Sequence, residues 1–229
     1  MTIWILFIGT MVIALIASLR VKSVYARYLR VPASSGLTGA QAAAQILADA
    51  NIRDVEIVAK DGMLADHYDP LHKRLVLSSD NFHGRSVAAL GVSAHEAGHA
   101  IQHARAYAPL QLRMAAVGAT SFASQIVMIL PLFFMFTGLL SSYFGLLLMA
   151  VGWGIIMAFN LVTLPVEFDA SRRAKAVLLS SGMISRGEEA DGVNRVLNAA
   201  GWTYVAAFLT SLVSFLFYLL PLLTGQRRN

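Results

Sequence analysis

Residues 114–166 read MAAVGATSFASQIVMILPLFFMFTGLLSSYFGLLLMAVGWGIIMAFNLVTLPV, and no Asp, Glu, Lys or Arg occurs between Arg113 and Glu167. A helix needs about 20 mostly apolar residues to cross a bilayer core. The run is long enough for two crossings, and the short step around Ser141-Ser142 divides it into Phe122–Leu140 and Tyr143–Leu164. This spacing predicts an antiparallel transmembrane hairpin. Pro131 and the Gly152-Trp153-Gly154 step are places to expect a kink or close helix packing.

Two further apolar stretches, Ile3–Leu19 and Tyr204–Leu223, bring the expected crossings to four. The whole chain of 229 residues is 57% hydrophobic and 14% charged. A soluble domain is about 45–50% apolar and about 25% charged, so the composition belongs to the membrane class. No cysteine is present, which excludes disulfides, thiolate metal sites and cysteine nucleophiles. The net charge of +5 does not suggest a nucleic-acid partner, because the basic residues flank the apolar stretches and form no separate patch with interleaved aromatics.

Those flanking charges set an expected topology. No positive residue precedes the first apolar stretch, while Arg20, Lys22, Arg27 and Arg30 follow it, so it reads as an uncleaved anchor. The polar segment that follows shares its side with segment 165–202, which carries Arg172, Arg173, Lys175, Arg186 and Arg195. The positive-inside rule makes both cytoplasmic, against only Arg227 and Arg228 on the other side. The expected organisation is an anchor at 1–20, a cytoplasmic portion at 21–119, a helical hairpin at 120–164, cytoplasmic helices at 165–202 and a last crossing at 203–224, integrated as one domain.

Local patterns give the polar segments a small α+β character. Thr38-Gly39-Ala40-Gln41 reads as a capping box opening a helix to about Ala50. Asp54–Lys60 alternates like a strand, and Arg74–Ser79 is a second candidate across the turn-rich Asp69-Pro70-Leu71-His72. A helix is expected from Ser86 to Ala106, another from Val166 to Ser180 stopped at Gly182, and a second capping box at Ser185 and Glu188.

The Ser86–Ala106 helix contains His95-Glu96-Ala97-Gly98-His99. Residues four apart share a helix face, so His95 and His99 present two imidazoles to one ion, a suitable donor pair for zinc. Glu96 lies about 100° round the helix from His95, where its carboxylate can take a proton from a zinc-activated water. One Zn2+ is therefore expected, with a further protein ligand among Glu167, Asp169 and His103. His103 lies about 12 Å along the axis from His95, too far to share the ion. Asp169 points to another side of its helix than Glu167. Glu167, the first charge after the hairpin, is the favoured ligand.

Over most of its length the chain resembles the YugP-type neutral zinc metallopeptidases. The matching segments are Ser34-Ser35-Gly36-Leu37-Thr38-Gly39, Asp66-His67-Tyr68-Asp69-Pro70, His95 to Gln102, Tyr107-Ala108-Pro109-Leu110 and Leu164 to Ser171. The resemblance implies an integral membrane zinc peptidase of the bacterial plasma membrane. More distantly the chain is similar to the HtpX group, where a glutamate on a later helix completes the metal site; that supports Glu167. The chain departs from that group at Ser171, where a second acidic residue is expected, with Asp169 or Asn160 as substitutes. His67 and Tyr68 recur in the resemblance, and His67 is a candidate to stabilise the oxyanion of a tetrahedral intermediate. Tyr107 is a weaker candidate; Arg85 and Arg105 read as solvated helix-end charges.

The sequence thus predicts a mainly α protein with four transmembrane helices and a small zincin-like cytoplasmic catalytic portion. Its expected activity is hydrolysis of peptide bonds in protein or peptide substrates, membrane proteins among them. Two competing readings are a non-catalytic zinc-binding scaffold, which would not need Glu96, and an intramembrane protease, which would need the motif inside a crossing. Around the motif only Val87–Ala94 is continuously free of charged or strongly polar side chains, far short of a span. Gly138, Gly145, Gly152 and Gly154 would permit close packing within or between chains.

Overall fold

The computed structural model of the chain describes residues 2–62, 65–137 and 142–225. Arg227, Arg228, Gly138 and the Ser141 half of the expected hairpin turn lie outside the described residues. The chain divides into two compact units, one of Met1–Ala17, Leu112–Leu164 and Thr203–Asn229, the other of Ser18–Gln111 and Pro165–Trp202.

The first unit is helical and apolar. Its segments belong to α1 (Thr2–Tyr28), α5 (Ala108–Thr137), α6 (Tyr143–Ser180) and α7 (Glu188–Thr224). Among the described residues these four helices are long and apolar enough to cross a membrane. Close approach uses small residues: a Cβ on Gly152 would stand 2.6 Å from Val127 Cγ1, and one on Gly154 3.2 Å from Phe215. Asn160 donates to Ser211 Oγ at 3.1 Å and to the Ala207 carbonyl at 3.3 Å, joining α6 to α7 where lipid offers no competing partner.

All four long helices extend past their apolar runs. The anchor expected to stop near Leu19 continues as α1 to Tyr28, and the expected separate helix from Val166 is the second half of α6. Pro165 lies inside α6 and removes one helical hydrogen bond, yet no left-handed residue follows to end the helix. That ending comes at Gly182, whose φ is +68°, with the Met183 amide bonded back to the Leu178 carbonyl at 3.0 Å.

The second unit packs helices and a three-stranded sheet around α4 (Val87–Ala104). Ser86 caps α4 by accepting from the Ala89 amide at 3.1 Å, so the helix begins where its sequence signal stands. Val87, Ala88, Ala89, Leu90, Ala94 and Ala97 are wholly buried along it. Ala42, Ala43, Ile46 and Leu47 of α2 (Gly39–Asp49) belong to the same core, with Tyr25 and Tyr28 of α1, Leu178 of α6 and Val193 of α7. The expected box opens α2, with the Gln41 amide donating to Thr38 Oγ1 and the Thr38 amide to Gln41 Oε1. Gly39 is required there, since a Cβ would fall 2.3 Å from Ser93 Oγ and from the Asn81 carbonyl.

The sheet corrects the expected strand pairing. Its order is β1 (Glu56–Lys60), β3 (Arg74–Ser78), β2 (His67–Asp69), with β1 parallel and β2 antiparallel to β3. The Asp69–His72 turn therefore joins β2 to β3. Asp69 Oδ1 accepts from the Leu71 and His72 amides and shapes that turn. Three residues, His67-Tyr68-Asp69, have too little alternation to read as a strand; pairing with β3 makes them one. Leu75, Val76 and Leu77 are all buried because β3 is central. A short helix, α3 (Ser79–Phe82), follows β3 directly. The capping box expected at Ser185 and Glu188 is replaced by Glu189, whose carboxylate accepts from the Ser185 amide at 2.8 Å and the Ser34 amide at 2.9 Å.

Candidate metal centre

The second unit brings His95 and His99 of α4 against Glu167 of α6. Gly98, on α4 between the two imidazoles, permits the approach: a Cβ there would lie 3.0 Å from the Ala170 carbonyl oxygen. Any larger residue would hold the helices apart. Glu167 is 2% exposed, His99 8%, and the His95 side chain 12%.

Glu167 Oε2 stands 3.2 Å from His95 Nε2 and 3.6 Å from His99 Nε2. The imidazole rings meet nearly perpendicular, at 84°, with centroids 4.7 Å apart. A tetrahedral zinc ion with bonds of about 2.0–2.1 Å separates its ligand atoms by roughly 3.3–3.4 Å. The two spacings to Glu167 bracket that value, and one potential ligand atom from each of the three residues lies within 4.8 Å of the others. The donor set thus fits zinc.

Electrostatics point the same way. Glu96, also buried, carries a second carboxyl group in this environment. Burial pushes its pKa up; His95 and His99 oppose the shift, while Glu167 and Asp66 add to it. Burial would depress the His99 pKa, but hydrogen bonding and attraction to Glu167 override it and raise it. Two carboxyl groups in a largely water-free site favour a compensating positive charge, which a divalent cation supplies.

The outer imidazole nitrogens have their own partners. His95 Nδ1 is 3.1 Å from Ser171 Oγ. His99 Nδ1 is 3.0 Å from Gln102 Oε1, and Gln102 Nε2 donates to the Val166 carbonyl at 2.8 Å and to Asp169 Oδ2 at 2.9 Å. Asp169 in turn is paired with Arg172 and Arg173. The place behind the candidate ligands where the resemblance led to the expectation of an acidic residue is therefore divided: Ser171 itself reaches His95, and Asp169 reaches His99 through Gln102. Asn160 is occupied with Ser211 and Ala207. Gln102 is the residue that sequence reading left unassigned. Its place three residues after His99, on the same helix face, was the available signal.

The other candidates lie apart from this cluster. Burial, with Asp54 and Asp69, pushes the Tyr68 phenol up to about 12, and its hydroxyl shares a hydrogen bond of 2.9 Å with His103 Nδ1. His67 is exposed on β2, its Nδ1 2.8 Å from the Ala65 carbonyl. The ring of Tyr107 sits under the Arg173 guanidinium at 6.0 Å. Arg85 donates to the Gly36 carbonyl and ties down the 34–39 loop, and Arg105 is the C-cap of α4.

No solved structure matches the chain. A relative from Bacillus subtilis (strain 168), described as "Putative membrane protease YugP", is 43% identical over 218 residues, covering 93% of this chain and 93% of its own. The model of the family described as "Putative neutral zinc metallopeptidase" matches residues 3–223. With nearly its whole length inside that match, the chain is a membrane protein that belongs to this family of neutral zinc metallopeptidases.

Proposed function

We propose that the chain is a membrane-embedded zinc metalloendopeptidase in which His95, His99 and Glu167 hold one zinc ion and Glu96 is the general base. The observation that carries this reading is the convergence of His95, His99 and Glu167, with potential ligand atoms within 4.8 Å of one another on two helices, beside a second buried carboxylate, Glu96, outside that group. A bound zinc ion supplies Lewis acidity, polarising the scissile carbonyl and acidifying water. Glu96 accepts the proton as that water attacks and returns it to the leaving amine. Its burial raises its affinity for the proton and suits it to both transfers.

The catalytic portion is read as zincin-like, with the motif helix and glutamate helix beside a short sheet. An extended substrate would add to β2, the edge strand antiparallel to β3. His67 on that strand is the candidate oxyanion partner. The Ala65 carbonyl can only accept, so His67 Nδ1 carries a proton and Nε2 can donate to an oxyanion only from the imidazolium.

In the proposed topology residues 21–119 and 165–202 face the cytoplasm of a bacterial cell, between crossings at 1–20, 120–164 and 203–224. Reporters fused near Gly62 and Gly187 should both read cytoplasmic; opposite sides would separate Glu167 from the histidines. The motif helix α4 is not among the four membrane-length helices of the described residues, which favours a site at the membrane surface over an intramembrane one. Protein substrates, membrane proteins included, fit that position.

The deciding measurement is Glu96→Gln in the purified full chain. Peptide hydrolysis should fall by about 10²–10⁴-fold while bound zinc, measured by atomic absorption, is retained. Undiminished hydrolysis would remove Glu96 from the reaction and leave a zinc-binding scaffold as the surviving account.

A further inference from the structure

The hydrogen bonds behind the two histidines differ in kind. Gln102 uses both hydrogens of its amide nitrogen on groups that can only accept: the Val166 carbonyl and the Asp169 carboxylate. Asp169, 3% exposed, also meets Arg172 and Arg173, which can only donate, so its oxygens serve as acceptors. Reversing the amide would set its oxygen against a carbonyl and a carboxylate, so this orientation is dictated by its partners. The Gln102 oxygen therefore faces His99, and an oxygen of this kind can only accept. His99 must then carry its proton on Nδ1, which leaves the Nε2 lone pair facing Glu167 and the metal position.

Ser171 makes no such demand on His95. A hydroxyl donates or accepts with equal ease, so the contact at 3.1 Å is compatible with either tautomer. The Val166 carbonyl that holds Gln102 belongs to the residue before Glu167, so one amide fixes the orientation of His99 and the helical turn presenting the third ligand.

From this geometry we propose that Gln102 and Asp169 act as positioning residues that lock His99 in the metal-binding tautomer before any metal arrives, making it the preset ligand, while His95 settles its tautomer on binding. The proposal rests on the zinc-centre reading above. It differs from a purely structural role for Gln102, which would affect stability and leave the tautomer and metal affinity alone.

The test uses the full chain in detergent micelles, stripped of metal, with histidines labelled with nitrogen-15. At alkaline pH, where the ring is neutral, nitrogen NMR distinguishes the Nδ1–H from the Nε2–H form, and the His99 signal is identified by its loss in His99→Gln. Wild type should show His99 as Nδ1–H. Gln102→Met, which keeps length and volume, should show mixed tautomers and a zinc dissociation constant raised about 10–100-fold, the range for loss of such outer partners. Asp169→Asn should shift both readouts in the same direction by less, and it decides the matter if Gln102→Met does not fold. Ser171→Ala should weaken zinc binding no more than about threefold.

An Nε2–H form of His99 in wild type would overturn the proposal. So would wild-type zinc affinity in Asp169→Asn together with any folded Gln102→Met, or a loss in Ser171→Ala as large as in Gln102→Met. If wild type binds no zinc, the centre itself is refuted, and the tautomer spectrum separately decides whether the lock exists.

Discussion

The two units of this chain differ in where they keep their large apolar side chains. The unit that holds the proposed metal centre encloses Leu75, Leu77 and Leu90, each at 0% exposure. The apolar unit leaves Phe122, Met128 and Leu132 more than 60% exposed and buries Thr163, Ser211 and Ser214. Those hydroxyls bond to carbonyls of their own helices: Thr163 to Phe159, Ser211 to Phe208 and Ser214 to Thr210, each at 2.8 Å. The difference follows from the solvent each unit meets. Water drives the leucines of one together. Hydrocarbon gives exposed leucines no reason to cluster, so small residues and interhelical hydrogen bonds select the packing of the other.

The largest effect that tests this contrast comes from one substitution made in both settings. Leu90→Ala removes a fully buried side chain beside the motif and should cost about 2–5 kcal/mol, read as a lowered midpoint of thermal unfolding in detergent. Leu132→Ala removes a side chain that touches little of the protein and should cost under about 1 kcal/mol. Equal losses would show that Leu132 is packed against protein in the membrane, and the contrast would fail.

A smaller effect concerns the approach of α4 to α6. Gly98→Val would force a branched side chain against the Ala170 backbone, which cannot rotate away as a side chain does. Overpacking of this kind costs about 1–3 kcal/mol, and zinc retention after dialysis should fall further than stability does, because Glu167 is displaced with its helix. A variant that unfolds earlier yet keeps full zinc affinity would separate helix spacing from ligand geometry.

Across both units the sequence shows its local signals and hides the long-range ones. The four apolar runs, the Thr38 box and the start of α4 at Ser86 were legible because each is a local signal: run length, a capping pair, a hydroxyl before a helical pattern. Glu167 could be singled out because it is the first charge after a long charge-free run. What stayed hidden depends on distant partners. His67-Tyr68-Asp69 is a strand only beside β3, and the parallel pairing of β1 with β3 leaves no mark in either segment. The continuity of α6 through Pro165 overrode an expected boundary. The pattern behind the ligands was misplaced for the same reason: a single expected acidic residue is replaced by Ser171 on one histidine and Gln102 with Asp169 on the other, which only the meeting of α4 and α6 reveals.

Asn160 supplies the smallest and most selective test. As a polar residue shortly before Glu167 it was a candidate to stand behind the zinc ligands, but its amide is directed to Ser211 and Ala207 within the apolar unit. Asn160→Leu replaces two interhelical hydrogen bonds by an apolar side chain. Such bonds average about 0.6 kcal/mol in a membrane protein, because polar groups in the unfolded reference state also find partners. The midpoint of unfolding should therefore move little, and zinc affinity should not move at all. Gln102 carries the same amide group in a water-driven core, with the Val166 carbonyl and Asp169 as partners that it joins to His99. Loss of zinc affinity in Asn160→Leu would mean that the α6–α7 contact governs the presentation of Glu167, and the amides could then no longer be assigned separate tasks.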